Sequence, residues 1–186
     1  LDGRVVVLVD DVLFTGRTVL IDEAKALGLI DEKCPSGMLM DRAMEVAERL
    51  AALGISLMSS APADTAVPPF LALRETGVNV CLGSDGIRDA WSPMGNGDML
   101  ERAMLLAFRF DLAKDDELAA AFDAATVNGA RALGIEDYGF ALGQPADFLL
   151  MPVETLGEAV VARPLRQVYR GGELIASGGR LLSSRL

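Results

Sequence analysis

Residues 83–100 read GSDGIRDAWSPMGNGDML, and this stretch decides how the rest of the chain is read. It follows a short apolar run, Val78-Asn79-Val80-Cys81-Leu82, whose composition predicts a buried strand. It precedes Met99 to Phe108, where apolar residues recur at helical spacing. Asp85 is therefore expected just past the carboxyl end of a strand, where a parallel α/β sheet carries its chemistry. Asp89, Trp91, Asn96 and Asp98 surround it, with glycines at 83, 86, 95 and 97. A connection this rich in acids and glycines is expected to be a site. Asp98 stands three residues before Glu101, the spacing of a capping box, so its expected work is structural. Asp89 next to Arg88 is expected to form a local ion pair.

Outward from this loop the elements alternate. Toward the amino end, Pro68-Pro69 opens a helix that runs to about Thr76 and stops at Gly77. Ile55 to Ser59 reads as a strand, and 39–53 as a helix ended by Gly54. Val5 to Val9 reads as a further buried strand. Strands alternating with helices predict a parallel sheet. Toward the carboxyl end, 112–133 reads as helical, with Asp115, Asp116 and Glu117 at a helix start. Thr126 is expected to cap a second helix over 128–133. Ala146 to Met151 reads as a strand, and Gly171-Gly172 is a two-residue hairpin signal between 168–170 and 173–176.

The run SDGIRDAWSPMGNGDMLERAM resembles the last barrel strand and following loop of cytosine deaminase-type enzymes in the amidohydrolase superfamily. The resemblance extends from about Met40 to near Gly179. It implies an α/β fold: an incomplete (β/α) barrel-like parallel sheet with helices, followed by a small C-terminal β-sandwich remnant. It implies hydrolytic deamination of a pyrimidine or related ring with a divalent metal, zinc or iron. Asp85 matches the family's metal-binding, proton-moving aspartate, and Trp91 matches the residue that walls the base pocket. The resembling enzymes hold their metal largely with histidines, and this chain has none. One carboxylate does not make a transition-metal site, which takes three or four donors. The expected activity is thus incomplete in this chain alone.

A second resemblance lies at the start. Arg4 to Thr18 reads RVVVLVDDVLFTGRT: a strand, two aspartates and a small-residue turn before a helix. Backbone N–H groups at such a turn suit phosphate oxygens. The segment resembles the diphosphoribose-binding motif of type I phosphoribosyltransferases, in the uracil phosphoribosyltransferase and pyrimidine-operon regulator branch. That match implies ribose contacts from Asp10 and Asp11, phosphate contacts from Thr15, Gly16 and Thr18, and a magnesium ion. It covers only about the first twenty residues.

The totals narrow the rest. The 186 residues divide, on this reading, into 1–37 (phosphoribosyltransferase-like strand, turn, helix and connection), 38–142 (barrel part) and 143–186 (β tail). A formal charge of -10 argues against nucleic acid or an anionic membrane as partner. Cys34 and Cys81 give neither a disulfide framework nor zinc spacing. No apolar stretch approaches a membrane span, so a cytoplasmic setting is the default expectation. Leu1 in place of an initiator Met points to a trimmed, fragmentary or processed chain. Edges left open in the tail are expected to be covered by a partner or a second copy. Three functions follow: a pyrimidine-type amidohydrolase, a diphosphoribose- or nucleotide-binding protein, or a non-catalytic fused remnant.

Overall fold

Helix α1, Leu39–Ala52, turns Ala47 and Leu50 into the core. Gly54, at φ +68, ends the run as the left-handed residue a helix stop requires. In the computed structural model, which describes residues 38–61, 69–90 and 92–182, a strand, a helix and a strand follow: β1 (Leu57–Ser59), α2 (Phe70–Glu75) and β2 (Val80–Leu82). The strands pair parallel, with Leu57 opposite Val80, Met58 opposite Cys81 and Ser59 opposite Leu82. Side chains alternate along a strand. Leu57, Val80 and Leu82 join the helix-covered core, while Met58 and Cys81 share the other face. Met58 is 74% exposed there.

The helical layer is held close by small residues. Helices α3 (Met99–Arg109), α4 (Asp115–Ala125) and α6 (Leu156–Ala162) meet through Ala103, Ala121, Ala124, Ala159 and Val160, all fully buried. Gly157 lies so near α4 that a Cβ there would stand 3.2 Å from Leu118 Cδ1. Side chains this short let backbones approach and fill the gap without voids. Phe70 and Leu106 supply the bulk, and removing a buried ring of this kind costs about 3–5 kcal/mol.

Short α5 (Val127–Ala132) is fastened to β2 by polar groups. Leu57 N–H donates to Asn79 O, and Gly83 N–H to Ser59 O, so the odd-numbered residues of β2 face β1. The Val80 carbonyl therefore faces the other edge, and the buried Asn128 donates to it from Nδ2 at 2.9 Å. Asn79 Nδ2 returns two bonds, to Asn128 O at 3.0 Å and Ser56 Oγ at 2.8 Å. Thr126, expected as a cap, instead donates its hydroxyl backward to Phe122 O at 2.8 Å. The hydroxyl completes the end of α4 rather than the start of α5. At the start of α4, Glu117 accepts from Lys114 Nζ and from the backbone N–H groups of Ala113 and Lys114, which hold its carboxyl at about 2.

The tail is an antiparallel meander: β3 (Phe148–Leu150), β4 (Gln167–Arg170), β5 (Glu173–Ser177) and β6 (Arg180–Leu181), paired in that order. Gly171 and Gly172 take φ of +57 and +80, as a two-residue hairpin demands. Phe148 and Tyr169 stack across β3 and β4 with ring centroids 4.6 Å apart. The parallel pair, its helices and this meander make a mixed α/β fold. Among the described residues no helix is long and apolar enough to cross a membrane. The strand expected over Val5 to Val9 lies outside the described residues.

Asp98 caps α3 as its spacing predicts, accepting from Leu100 N–H at 3.0 Å and Glu101 N–H at 3.4 Å. The reciprocal arm of a capping box is absent. Asp98 N–H donates instead to Asn96 Oδ1, and Glu101 accepts from Asn96 Nδ2 and pairs with Arg163. Asp98 also pairs with Arg166 Nη2 at 2.6 Å, which ties α3 to the chain entering β4. Burial pushes the Asp98 carboxyl up, but the Arg166 guanidinium and the two amides outweigh it and hold it below its ordinary value.

Two outcomes follow from these contacts. Asn128→Ala strands the Val80 carbonyl and should cost about 1–3 kcal/mol in urea unfolding; a loss below a few tenths would show the pin idle. A carboxyl lowered by folding adds stability that is present above its unfolded value and lost as pH falls through its folded one. The stability gap between wild type and Asp98→Asn should therefore be full at pH 7 and shrink below about pH 4. A gap that does not change with pH contradicts this.

Candidate active site

The loop after β2 is built by folding back on itself. Arg88, at φ +52, donates its N–H to Met94 O at 2.8 Å and brings 86–88 beside 94–97. Gly95 makes that approach possible, since a Cβ there would lie 2.4 Å from Gly86 O. Gly86 is needed for a similar reason: its missing Cβ would collide with the Asp89 carboxylate. Asp89 uses its other oxygen to accept from Ser92 N–H at 3.1 Å. The glycines that marked the stretch in the sequence are thus the places where chain meets chain.

Asp85 stands at the tip of β2 with φ +58. Only a short polar residue or glycine enters this left-handed region readily, and a non-glycine held there stores about 1–3 kcal/mol. Its side chain is exposed. Among the described residues its carboxylate accepts one hydrogen bond, from Gly86 N–H at 2.8 Å, and pairs with no cation. A carboxylate in a strained backbone, open to solvent at the end of a buried strand, keeps most of its lone pairs for a ligand or a proton.

The tip of β1 has the same character. Ala61 is buried at φ +52, and its N–H donates to Ser59 Oγ at 3.0 Å. Between the two tips lies Arg102, from the first turn of α3. Its Nη2 donates to Ser84 O at 2.7 Å and its Nη1 to Ser60 O at 3.2 Å. Sequence pattern gave no sign of this residue, because a helical arginine that turns inward has the same spacing as one that faces water.

Other reactive groups stand apart. Cys81 is buried on β2, and burial pushes its thiol up, away from a reactive thiolate. A cavity of about 330 Å³ runs from Gly54 and Ser56 past Met58 and Cys81 to Arg131 and Leu133 of α5 and its end; Asp85 does not line it. Among the described residues no three His, Cys, Asp or Glu side chains are grouped to hold a metal ion. Trp91 lies outside the described residues, as do Asp10, Asp11, Thr15, Gly16 and Thr18.

Comparison with known proteins gives a consistent result. N-isopropylammelide isopropyl amidohydrolase from Pseudomonas sp. (strain ADP) is 36% identical over 109 residues, 58% of this chain and 27% of that protein. A crystal structure of N-isopropylammelide isopropylaminohydrolase from Burkholderia multivorans superposes with a TM-score of 0.72 at 45% identity, over 75% of this chain and 36% of the other. A 5-methylcytosine deaminase from Klebsiella pneumoniae, liganded with phosphonocytosine, superposes with a TM-score of 0.55 at 34% identity, over 64% and 29%. The chain therefore spans about a third or less of these relatives. The sequence profile described as "Amidohydrolase family" matches residues 23–176, most of the polypeptide and all of the parallel pair, its loop and the meander as far as β5. By that match the chain belongs to the amidohydrolase family.

Proposed function

We propose that this chain is the carboxyl-terminal part of a hydrolase that removes an amino or alkylamino group from a nitrogen heterocycle. Asp85 is its working carboxylate. The observation that carries the reading is the exposed Asp85 carboxylate, held left-handed at the tip of β2 without a cationic partner among the described residues. Relatives named for N-isopropylammelide and for 5-methylcytosine favour a triazine or pyrimidine ring. In this reading Asp85 takes a proton from the attacking water and delivers it to the departing amine, and Trp91 packs against the ring. The parallel pair is then the last portion of a (β/α) barrel, and the meander part of a small β-sandwich.

Amidohydrolases generally use a divalent metal. The described residues do not fit a complete site for it: they offer the Asp85 carboxylate, no cluster of three donors, and the chain holds no histidine. A metal site needs three or four donors. On this proposal the others come from polypeptide beyond these 186 residues or from a partner that completes the sheet. The diphosphoribose reading of Asp10 to Thr18 stands beside this one, since the family match begins only at residue 23.

The test is a chimera in which residues 38–179 replace the matching part of the Burkholderia aminohydrolase. It should release amine from N-isopropylammelide, and Asp85→Asn should lower that rate about 100-fold or more, the usual worth of a positioned acid–base group. A folded chimera whose rate is indifferent to Asp85→Asn would sink the proposal. The 186-residue chain alone should bind less than one equivalent of zinc or iron.

A further inference from the structure

Two non-glycine residues at the ends of the parallel strands are left-handed: Ala61 at φ +52 and Asp85 at φ +58. The peptide carbonyl just before each one belongs to Ser60 and Ser84 respectively. Both carbonyls accept from the same guanidinium, that of Arg102. The direction of a carbonyl and the φ of the next residue are set by the same peptide plane. A donor fixed on the carbonyl therefore opposes relaxation of that φ toward the extended region.

We propose that Arg102 is the positioning residue of this site: one guanidinium fork pins both strand tips in the left-handed conformation, and so presents the Asp85 carboxylate. The fork is itself fixed. Arg102 N–H donates to Asp98 O at 3.2 Å as α3 begins, and the Asp98 side chain caps that turn while pairing with Arg166. Arginine suits the task because its planar head offers two donors in fixed relation, whereas lysine offers a single point of charge. Ala61, buried and apolar, has no side-chain means of holding a left-handed backbone, so its conformation depends on its surroundings. That Asp85 is aimed at a substrate rests on the function proposed above. The pinning of the tips does not, and its test needs no turnover.

The experiment is a stability cycle on the full 186-residue chain, paired with amide hydrogen exchange. Glycine removes the backbone penalty that the fork opposes. Arg102→Met should lower the thermal midpoint, and the drop should be larger in the Ala61→Gly/Asp85→Gly background, where losing the fork relieves no backbone strain. If Arg102 merely attaches α3 to the sheet, the drop will be equal in both backgrounds, and the proposal is overturned. Arg102→Lys, the milder change should the methionine variant fail to fold, should recover part of the midpoint. It should also speed exchange in peptides covering residues 59–61 and 84–86 together. Faster exchange confined to α3, with both tips unchanged, would equally overturn it.

Discussion

The guanidinium of Arg102 spans the two strand tips, and the geometry of the site depends on that span. β1 and β2 are three residues each, and among the described strands each has only the other as partner. A two-stranded sheet is marginal by itself. What stabilises this pair is the helical layer packed on one face and a few polar ties at its ends. Asn128 fastens the outer edge of β2, and Arg102 fastens the carboxyl ends of both strands. The helices can do this because alanines and Gly157 bring α3, α4 and α6 close together. Helix packing, strand register and loop conformation are therefore coupled through few side chains.

The charged residues have different tasks although they stand close in sequence. Asp98 is occupied: two amides and Arg166 use its oxygens. Asp89 is occupied by Ser92 and lies against Gly86. Among the described residues Asp85 accepts one bond, from its neighbouring amide, and it is exposed. Of the three aspartates between 85 and 98, it is the one whose carboxylate has the fewest partners among the described residues. This separation of the engaged acids from the least engaged one gives the functional reading its physical basis.

Much of the fold was legible in the chain. Apolar spacing placed the helices at 39–52 and 99–109, proline and glycine bounded the one at 70–75, and Gly171-Gly172 fixed the hairpin. Helix α6 was not read. It is seven residues long and buries little beyond Ala159 and Val160, too short for periodicity to speak. A local signal was present: Thr155 followed three residues later by Glu158, whose N–H does reach Thr155 Oγ1 at 3.0 Å. The strand tip bearing Asp85 was read, but its left-handed backbone was not, because aspartate tolerates positive φ without requiring it and alanine carries no mark of it. Partners distant in the chain were also hidden. Asp98 meets Arg166, and Arg102 meets Ser60, only because of how the helices pack.

The central claim is that both strand tips are held left-handed and that this presents Asp85. Its most direct test is measurement of the φ angles of Ala61 and Asp85 in solution from scalar couplings and cross-correlated relaxation on labelled protein. The account predicts positive values at both residues. A negative, extended value at either one would contradict it.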